Sequence, residues 1–258
     1  MKIQRAAVAA SALLGTLYFS SSTIDAQTAE PKEKAPMYTY FSSWDIPRAK
    51  WADMEKTRTG NGVFARAFSS GTLVGYGSDE TVVHTAEGYT HDGWFQSMSM
   101  AGLLTTLSDL MQGGNTTTAV FASATKHEDQ MLSSRYYEWK SGSWKGAYTH
   151  TAVYKLKDSA PDDAIDMLAK SFVVPLMEKL LADGTIVEYE IDEQAIHTNS
   201  PAVFFLVYIT PTGEGQDRVN KALGESIKAD PLAGPAFNSM VDFSVHRDLL
   251  VRGDVTYK

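Results

Sequence analysis

The stretch that decides the fold is GTLVGYGSDETVVHT at positions 71–85, which returns as GTIVEYEIDEQAIHT at positions 184–198. Eight of the fifteen positions are identical, and Leu/Ile or Val/Ile exchanges occupy two more. Self-similarity at a fixed offset is typical of a duplicated structural unit. The chain is therefore expected to contain two copies of one fold unit.

The first copy extends from this stretch in both directions as strand and helix signals. An aromatic and β-branched run at 37–41 predicts a strand, and Asp45 with Pro47 predicts the start of a helix. A short helical piece at 63–68 leads into the repeated strand. A strand at 89–98, a helix with apolar spacing at 103–111 and a strand at 131–139 follow.

The second copy repeats this order. Positions 148–154 match the opening strand, and an apolar stripe from Ile165 to Leu180 predicts a helix with a kink at Pro175. After the repeated strand come an apolar strand at 202–210, a helix over 219–227, a short extra helix at 231–243 and a closing strand at 249–257. Each copy thus reads β-α-β-β-α-β, the ferredoxin-like pattern.

The predicted fold class is α+β, with two tandem ferredoxin-like repeats packed sheet to sheet as a pseudo-twofold α/β barrel. Each sheet has one face covered by its helices and one bare face, so stacking the two copies buries both bare faces. The repeats are assigned to residues 37–140 and 147–258, with a linker at 141–146. The protein is expected to be a monomer with an internal pseudo-dimer.

The N-terminus has the layout of a secretory signal peptide at residues 1–26. A basic start is followed by an uncharged, mostly apolar run at 6–19, which is short for a bilayer span of about 20 residues. An uncleaved anchor is the alternative. Residues 27–36, which are polar and carry two prolines, predict a flexible leader. We expect an exported protein, periplasmic or extracellular, with no membrane association after cleavage.

Composition limits the chemistry. The chain has no cysteine, which excludes disulfides and thiolate catalysis. Its formal net charge of −8 makes nucleic acid a poor partner, because polyanions bind to clusters of Lys and Arg side chains.

The element order, with the strand-borne GTLVGY after a long first helix, resembles the dimeric α+β barrel superfamily, including the antibiotic-biosynthesis monooxygenase-like and EthD-like proteins. Here two protomers look fused in one chain, and the resemblance covers nearly all of the mature protein. It implies a barrel whose interior often holds a small organic ligand, and sometimes haem. Cofactor-free oxidation, isomerisation, lactone chemistry and plain binding all occur on this fold, so the resemblance implies no single activity.

The histidines are the first candidates for acid–base chemistry, because imidazole titrates near neutral pH. His84 and His197 are equivalent in the two copies, as are His127 and His246. The repeated His-x-Asp at 127–129 and 246–248 is a weak metal candidate, since such triplets usually cap or solvate a loop. The sequence has no His-x-x-x-His, Glu-x-x-His or EF-hand-like spacing to support it, so we predict no metal site and no cofactor.

A stronger signal is the asymmetry between the third strands. In the first copy this strand contains His91, Asp92 and Trp94, whereas the second copy has Phe204, Phe205 and Val207. Buried polar residues cost free energy unless they are paired, and such exceptions concentrate at functional sites. We therefore assign His84, His91 and Asp92 as candidate catalytic residues, with His84 and His91 close across a hairpin. The alternative is that Asp92-Gly93 forms a turn or bulge.

Three functions remain open. The protein could bind a small organic ligand between the two sheets, with Tyr40, Trp94, Tyr148 and His150 as contacts. It could be a cofactor-independent oxygenase or isomerase with a His base. It could also be a structural or interaction module with a filled barrel. An apolar cavity with a few convergent polar groups would favour the first two.

Overall fold

Eight strands form the framework of the protein. The computed structural model describes residues 33–57, 62–197 and 202–258. The strands are Met37–Asp45 (β1), Gly75–Thr81 (β2), His91–Ser97 (β3), Lys126–Trp139 (β4), Gly142–Leu156 (β5), Glu188–Gln194 (β6), Val203–Thr210 (β7) and Val241–Tyr257 (β8). Each carries the aromatic and β-branched residues, or the alternation of burial, that a half-buried pleated surface favours.

The strands close into one barrel in the order β1-β3-β2-β8-β5-β7-β6-β4, and every neighbouring pair is antiparallel. Closure pairs the strands all round, so the sheet has no free edge strand. The α+β barrel class expected from the sequence is confirmed.

Helices cover the outside of the barrel. They are Trp51–Met54 (α1), Val63–Ser70 (α2), Met100–Gln112 (α3), Ala164–Leu168 (α4), Val174–Ala182 (α5), Gly213–Ala229 (α6) and Ala233–Met240 (α7). Helix α3 begins after Ser99, whose side chain accepts a hydrogen bond from the Gly102 amide at 3.1 Å. Thr212 caps α6 in the same way. Such caps satisfy amides that the first helical turn leaves without partners.

Some predicted elements differ from the structure. The helix expected after Asp45 is broken into two 3₁₀ turns flanking α1. The helix expected from Ile165 to Leu180 contains a π-turn at Ala169–Val173, and α5 begins just before Pro175. Pro175 has no amide hydrogen to donate, so the regular ladder cannot run through it. The extra helix ends at Met240, and most of the segment assigned as a linker, 142–146, lies in β5.

The two faces of each strand meet different surroundings. Outward side chains of β4, β6 and β7 pack with α4, α5 and α6 in the largest apolar cluster, and those of β1, β2 and β3 pack with α2 and α3. Inward side chains form two smaller clusters inside the barrel, one around Trp94 and Tyr257 and one around Phe205 and Val207. Because the side-chain period of a strand is two, neighbouring residues belong to opposite layers.

Glycine makes room where the interior is crowded. A Cβ on Gly77 would lie 2.5 Å from the Trp94 indole, so this position must be bare for the ring to fit. A Cβ on Gly253 would overlap the Ser78 carbonyl oxygen of the neighbouring strand β2.

The remaining sequence expectations concern the N-terminus. The expected signal peptide and residues 27–32 of the expected leader lie outside the described residues. Glu33 and Lys34 contact β4, where Lys34 Nζ donates to the Tyr137 carbonyl at 2.8 Å and Glu33 pairs with Arg135 at 2.7 Å. Within the described ranges, no helix combines the length and apolarity that crossing a bilayer requires.

Candidate functional site

A large cavity lies on the outer side of the barrel, between the first-half strands and α1–α3, and we call it the outer cavity. Its volume is about 490 Å³, within the range of small-molecule sites. Its walls are mostly apolar and aromatic. The residues that line it include Tyr40, Ser42, Trp44, Phe64, Asp92, Phe95, Leu107, Phe121, His127 and Asp129.

Ser42, His127 and Asp129 form the polar cluster of the outer cavity. His127 and Asp129 are two residues apart on β4 and so point to the same face. His127 Nε2 lies 2.9 Å from Asp129 Oδ1 and 3.1 Å from Ser42 Oγ, and the Ser42 hydroxyl donates to Asp129. Trp44 stacks on the His127 ring at 5.2 Å between centroids. The aromatic contact and the carboxylate together fix the orientation of the imidazole.

This arrangement differs from a nucleophilic Ser-His-Asp triad. In such a triad the acid binds one imidazole nitrogen and the serine hydroxyl donates to the other. Here Ser42 and Asp129 contact the same nitrogen of His127, and the serine proton points to the carboxylate. The cluster is therefore suited to accepting and returning a proton, with Asp129 as its negative centre.

Tyr40 supplies a neutral donor beside this cluster. Burial, followed by the charge of Asp129 and a hydrogen bond to it, raises the pKa of the Tyr40 phenol well above its usual value. The phenol therefore stays protonated at every physiological pH. Its one O–H donates to Asp129 and reaches an oxygen of a bound molecule only by turning away from that carboxylate.

Asp92 reaches the outer cavity from β3 and also lines the barrel interior. It is 6 % exposed, and Ser43 Oγ donates to its Oδ1 at 2.5 Å. Burial raises the pKa of Asp92 to about 6, and the Ser43 hydrogen bond partly opposes that rise. It continues the ladder without a bulge, so the turn or bulge considered for Asp92-Gly93 is not present.

The other two expected catalytic residues gather around Trp51 instead. His84 stacks on the Trp51 ring at 5.2 Å, and His91 meets its edge at 5.5 Å. His91 is 1 % exposed, and its Nδ1 lies 3.0 Å from the Thr90 hydroxyl. The expected proximity of the two histidines is thus mediated by an indole. His91 and Asp92 are consecutive on β3 and face opposite sides of the sheet.

The four residues expected to hold a ligand between the sheets do not converge. Trp94 alone among them lines the barrel interior, where its Nε1 donates to Asp79 at 2.9 Å. Tyr40 lines the outer cavity. Tyr148 lies under the Arg252 guanidinium, and His150 stacks on Tyr208. The barrel interior encloses only about 80 Å³, so the larger ligand-sized space lies outside the barrel.

The second half carries related side chains around a much smaller space. His246 and Asp248 contact each other at 3.4 Å, and Tyr154 stacks on His246 as Trp44 does on His127. His150, whose pKa is lowered by burial, lies 3.5 Å from Asp248. The space beneath α4 and α7 is only about 10 Å³. It is filled by Ile165, Leu168, Val173, Ile191, Phe204, Leu206 and Phe237.

Neither metal nor haem fits the first-half cluster. In the part of the chain that the structure describes, no three His, Asp or Glu side chains are placed to hold a metal ion. Haem would need an axial ligand such as a histidine nitrogen. His127 is the histidine that lines the outer cavity, and its Nε2 is engaged by Asp129 and Ser42. The described residues of the outer cavity therefore offer no free histidine Nε2 to a haem iron.

Comparisons with known proteins support the fold. No protein-family model and no curated protein sequence matches this chain. A candidate monooxygenase from Lactobacillus acidophilus NCFM superposes with a TM-score of 0.62 at 11 % identity, over 87 % of this chain and 97 % of that chain. A candidate monooxygenase from Fusobacterium nucleatum gives 0.64 at 7 % identity, over 87 % and 95 %. An anthrone oxidase-like protein gives 0.51 at 10 % identity, over 86 % and 92 %. At these identities the likeness shows the dimeric α+β barrel fold alone.

The His-x-Asp motif is the sequence signal for this cluster. Its residue types predict a loop triplet, but both copies lie within long strands. Spacing of two on a strand places both side chains on one face, which makes the motif a candidate acid–base pair. Ser42 and Trp44 have no such signal, because their role depends on strand pairing with β4.

Asp92 gives a testable pH dependence. Its folded-state pKa of about 6 exceeds the unfolded-chain value near 3.9. Its contribution to stability is thus fully present below about pH 4 and is lost as pH rises through about 6. We expect Asp92→Asn to raise the unfolding free energy by about 3 kcal/mol at pH 8 and to leave it nearly unchanged at pH 4. Urea unfolding at both values measures this. The exposed control Asp162→Asn should match the parent at both, and an Asp92→Asn variant less stable at pH 8 would contradict the assignment.

Proposed function

We propose that the outer cavity binds a small, largely apolar organic molecule and that the first half of the chain carries the function. The observation that supports this is the contrast in volume, about 490 Å³ in the first half against about 10 Å³ in the second. Apolar walls with a few convergent polar groups are typical of ligand sites. Trp44, Phe64 and Phe121 offer flat ring surfaces, which suit a planar aromatic ligand.

Binding can be tested by filling the cavity from α3. Leu107 lines the outer cavity, whereas Leu104 on the same helix is 48 % exposed. We expect Leu107→Trp to remove binding of anthrone, a three-ring aromatic ketone, because the indole occupies its volume. Leu104→Trp should bind as the parent does. Equilibrium dialysis measures both, and native mass spectrometry of the protein purified from its source shows whether a ligand is retained.

Equal binding of anthrone by the two tryptophan variants would contradict the location of the site. Overpacking can cost about 1–3 kcal/mol, so the unfolding free energy of Leu107→Trp is measured first. Retention of the parent's unfolding transition shows that loss of binding reflects the filled cavity.

A second candidate function is cofactor-independent oxygenation or isomerisation, which the contacts among Ser42, His127 and Asp129 favour. A carbon acid bound between Trp44 and Phe95 would lose a proton to the His127–Asp129 pair, while the neutral Tyr40 phenol turns its O–H from Asp129 to the developing oxyanion. With anthrone and dioxygen, the products are anthraquinone and one water, so atoms and electrons balance without a cofactor. The anthrone oxidase-like structural neighbour motivates this choice of probe.

The acid–base role is tested with matched variants of the two His-x-Asp motifs. General acid–base catalysis contributes about 10²–10⁴ in rate, so His127→Gln should lower turnover of anthrone at least about 100-fold. His246→Gln, at the equivalent position of the second half, should leave turnover unchanged. Formation of anthraquinone is followed by absorbance under air. Binding without turnover in the parent protein would reject the enzyme and retain the binding function.

We also infer that the barrel consists of two tandem ferredoxin-like units related by a pseudo-twofold axis. The sequence repeat supports this, as does the strand order, which reads 4-1-3-2 in the first half and 8-5-7-6 in the second. The roles of His84 and His91 stay predictions from the sequence, with Trp51 as their common contact. Export through residues 1–26 likewise stays a prediction.

A further inference from the structure

The barrel interior contains an unusual concentration of buried acids. Strand β6 directs Glu188, Glu190 and Asp192 inward, because they alternate with outward-facing residues. Asp79 on β2 and Asp92 on β3 face the same space. All five are nearly inaccessible to solvent, with Glu188 only 1 % exposed. Among the described residues that line this space, Arg247 at the exposed rim is the one basic side chain.

These carboxyl groups differ in how they are satisfied. Trp94 donates to Asp79, Ser43 donates to Asp92, and Gln96 Nε2 donates to Glu190 Oε2 at 2.9 Å. Both oxygens of Glu188 lack a hydrogen-bond partner within the described ranges, as do both oxygens of Asp192. An unsatisfied buried carboxyl group is costly, so a missing donor is indicated next to Glu188.

A second polar group points to the same missing donor. Thr149 on β5 is 7 % exposed and lines the interior, and it pairs with Ile209 of β7, which pairs with Glu188 on its other side. Its hydroxyl oxygen also lacks a hydrogen-bond partner in the part of the chain that is described. Thr149 is uncharged and lies on a different strand, so its unmet capacity is independent of the acidic cluster. One ligand with several N–H groups would satisfy both residues.

The shape and charge of the space select the kind of ligand. Its volume of about 80 Å³ admits a few waters or one very small molecule. A metal ion is disfavoured, since no three acidic side chains or histidines of the described residues are placed to coordinate one. A primary ammonium group carries one positive charge and three donors in separate directions. Burial and repulsion from Asp192 raise the pKa of Glu188 well above its usual value. The positive charge of the ammonium group would stabilise the ionised carboxylate and so oppose both effects.

We propose that the barrel interior binds a small primary alkylammonium ion, whose head group donates to Glu188 and Thr149. The short alkyl part would lie against Phe205, Val207 and Ile209, which line the same space. This site is separate from the outer cavity and does not depend on the function proposed there. The proposed site gives a binding role to the three buried acidic residues on the inward face of β6.

The test uses methylammonium chloride as the probe, with tetramethylammonium and potassium chloride at equal ionic strength as controls. Methylammonium should raise the thermal unfolding midpoint and give a saturable heat of binding by calorimetry. Tetramethylammonium has the charge but no N–H donor and is larger, so it should do neither. Equal effects from all three salts, or none from methylammonium, would overturn the proposal.

Variants locate the site on the inner face. Glu188→Gln should weaken methylammonium binding about tenfold or more, because it removes the charge-assisted hydrogen bond. Thr149→Val, which keeps shape and removes the hydroxyl, should weaken binding by a smaller factor. Glu193→Gln on β6 is the matched control, since Glu193 faces away and pairs with Arg135 at 3.1 Å. Unchanged affinity in both Glu188→Gln and Thr149→Val would place any binding elsewhere and reject the proposal.

Discussion

Closure of the barrel is the constraint on which the rest of the structure depends. Once eight strands pair all round, every strand has one face in a confined interior and one face under helices or solvent. A residue's neighbours then follow from whether its position is odd or even along the strand. His91 packs against Trp51 outside, and the adjacent Asp92 turns toward Ser43. Phe95 packs against helices, and Trp94 fills the interior.

The same constraint separates two kinds of space. The interior is narrow and acidic, because β6 presents three carboxyl groups there. The outer cavity is wide and apolar, because α3 and the segment that follows it stand away from β1 and β4. Asp92 is in contact with both spaces. Burial of its carboxyl group between the two spaces raises the pKa of Asp92.

The two halves share the His-x-Asp motif but differ in how the space between the strands and the covering helices is occupied. Each carries a His-x-Asp pair on its last strand and an aromatic ring stacked on the histidine. In the second half, Phe204 and Phe237 occupy the space under the helices, and Ala152 stands where the first half has Ser42. The second half thereby gains apolar packing and loses both the cavity and the hydroxyl. Under the proposed function, ligand binding belongs to the first half, whereas the second half has the denser apolar packing.

Much of the fold could be predicted from the sequence, because duplication and apolar periodicity are local signals. The apolar strand at 202–210 and the helix at 103–111 correspond to β7 and α3. The site could be predicted only in part. Period-two patterns do not tell which face of a strand lies inside when both are buried, so Tyr40 and His150 were expected in an interior that they do not face. The cavity depends on how far α3 stands from β4, which no sequence pattern encodes.

The most direct test of the central claim is a crystal structure of the protein grown with anthraquinone, a planar three-ring ligand. We expect electron density for the ligand in the outer cavity, between Trp44 and α3, with a carbonyl oxygen near Tyr40 or His127. The equivalent space of the second half should hold no ligand, because Phe204 and Phe237 fill it. Ligand density in the barrel interior or in the second half, with the outer cavity holding only solvent, would contradict the account.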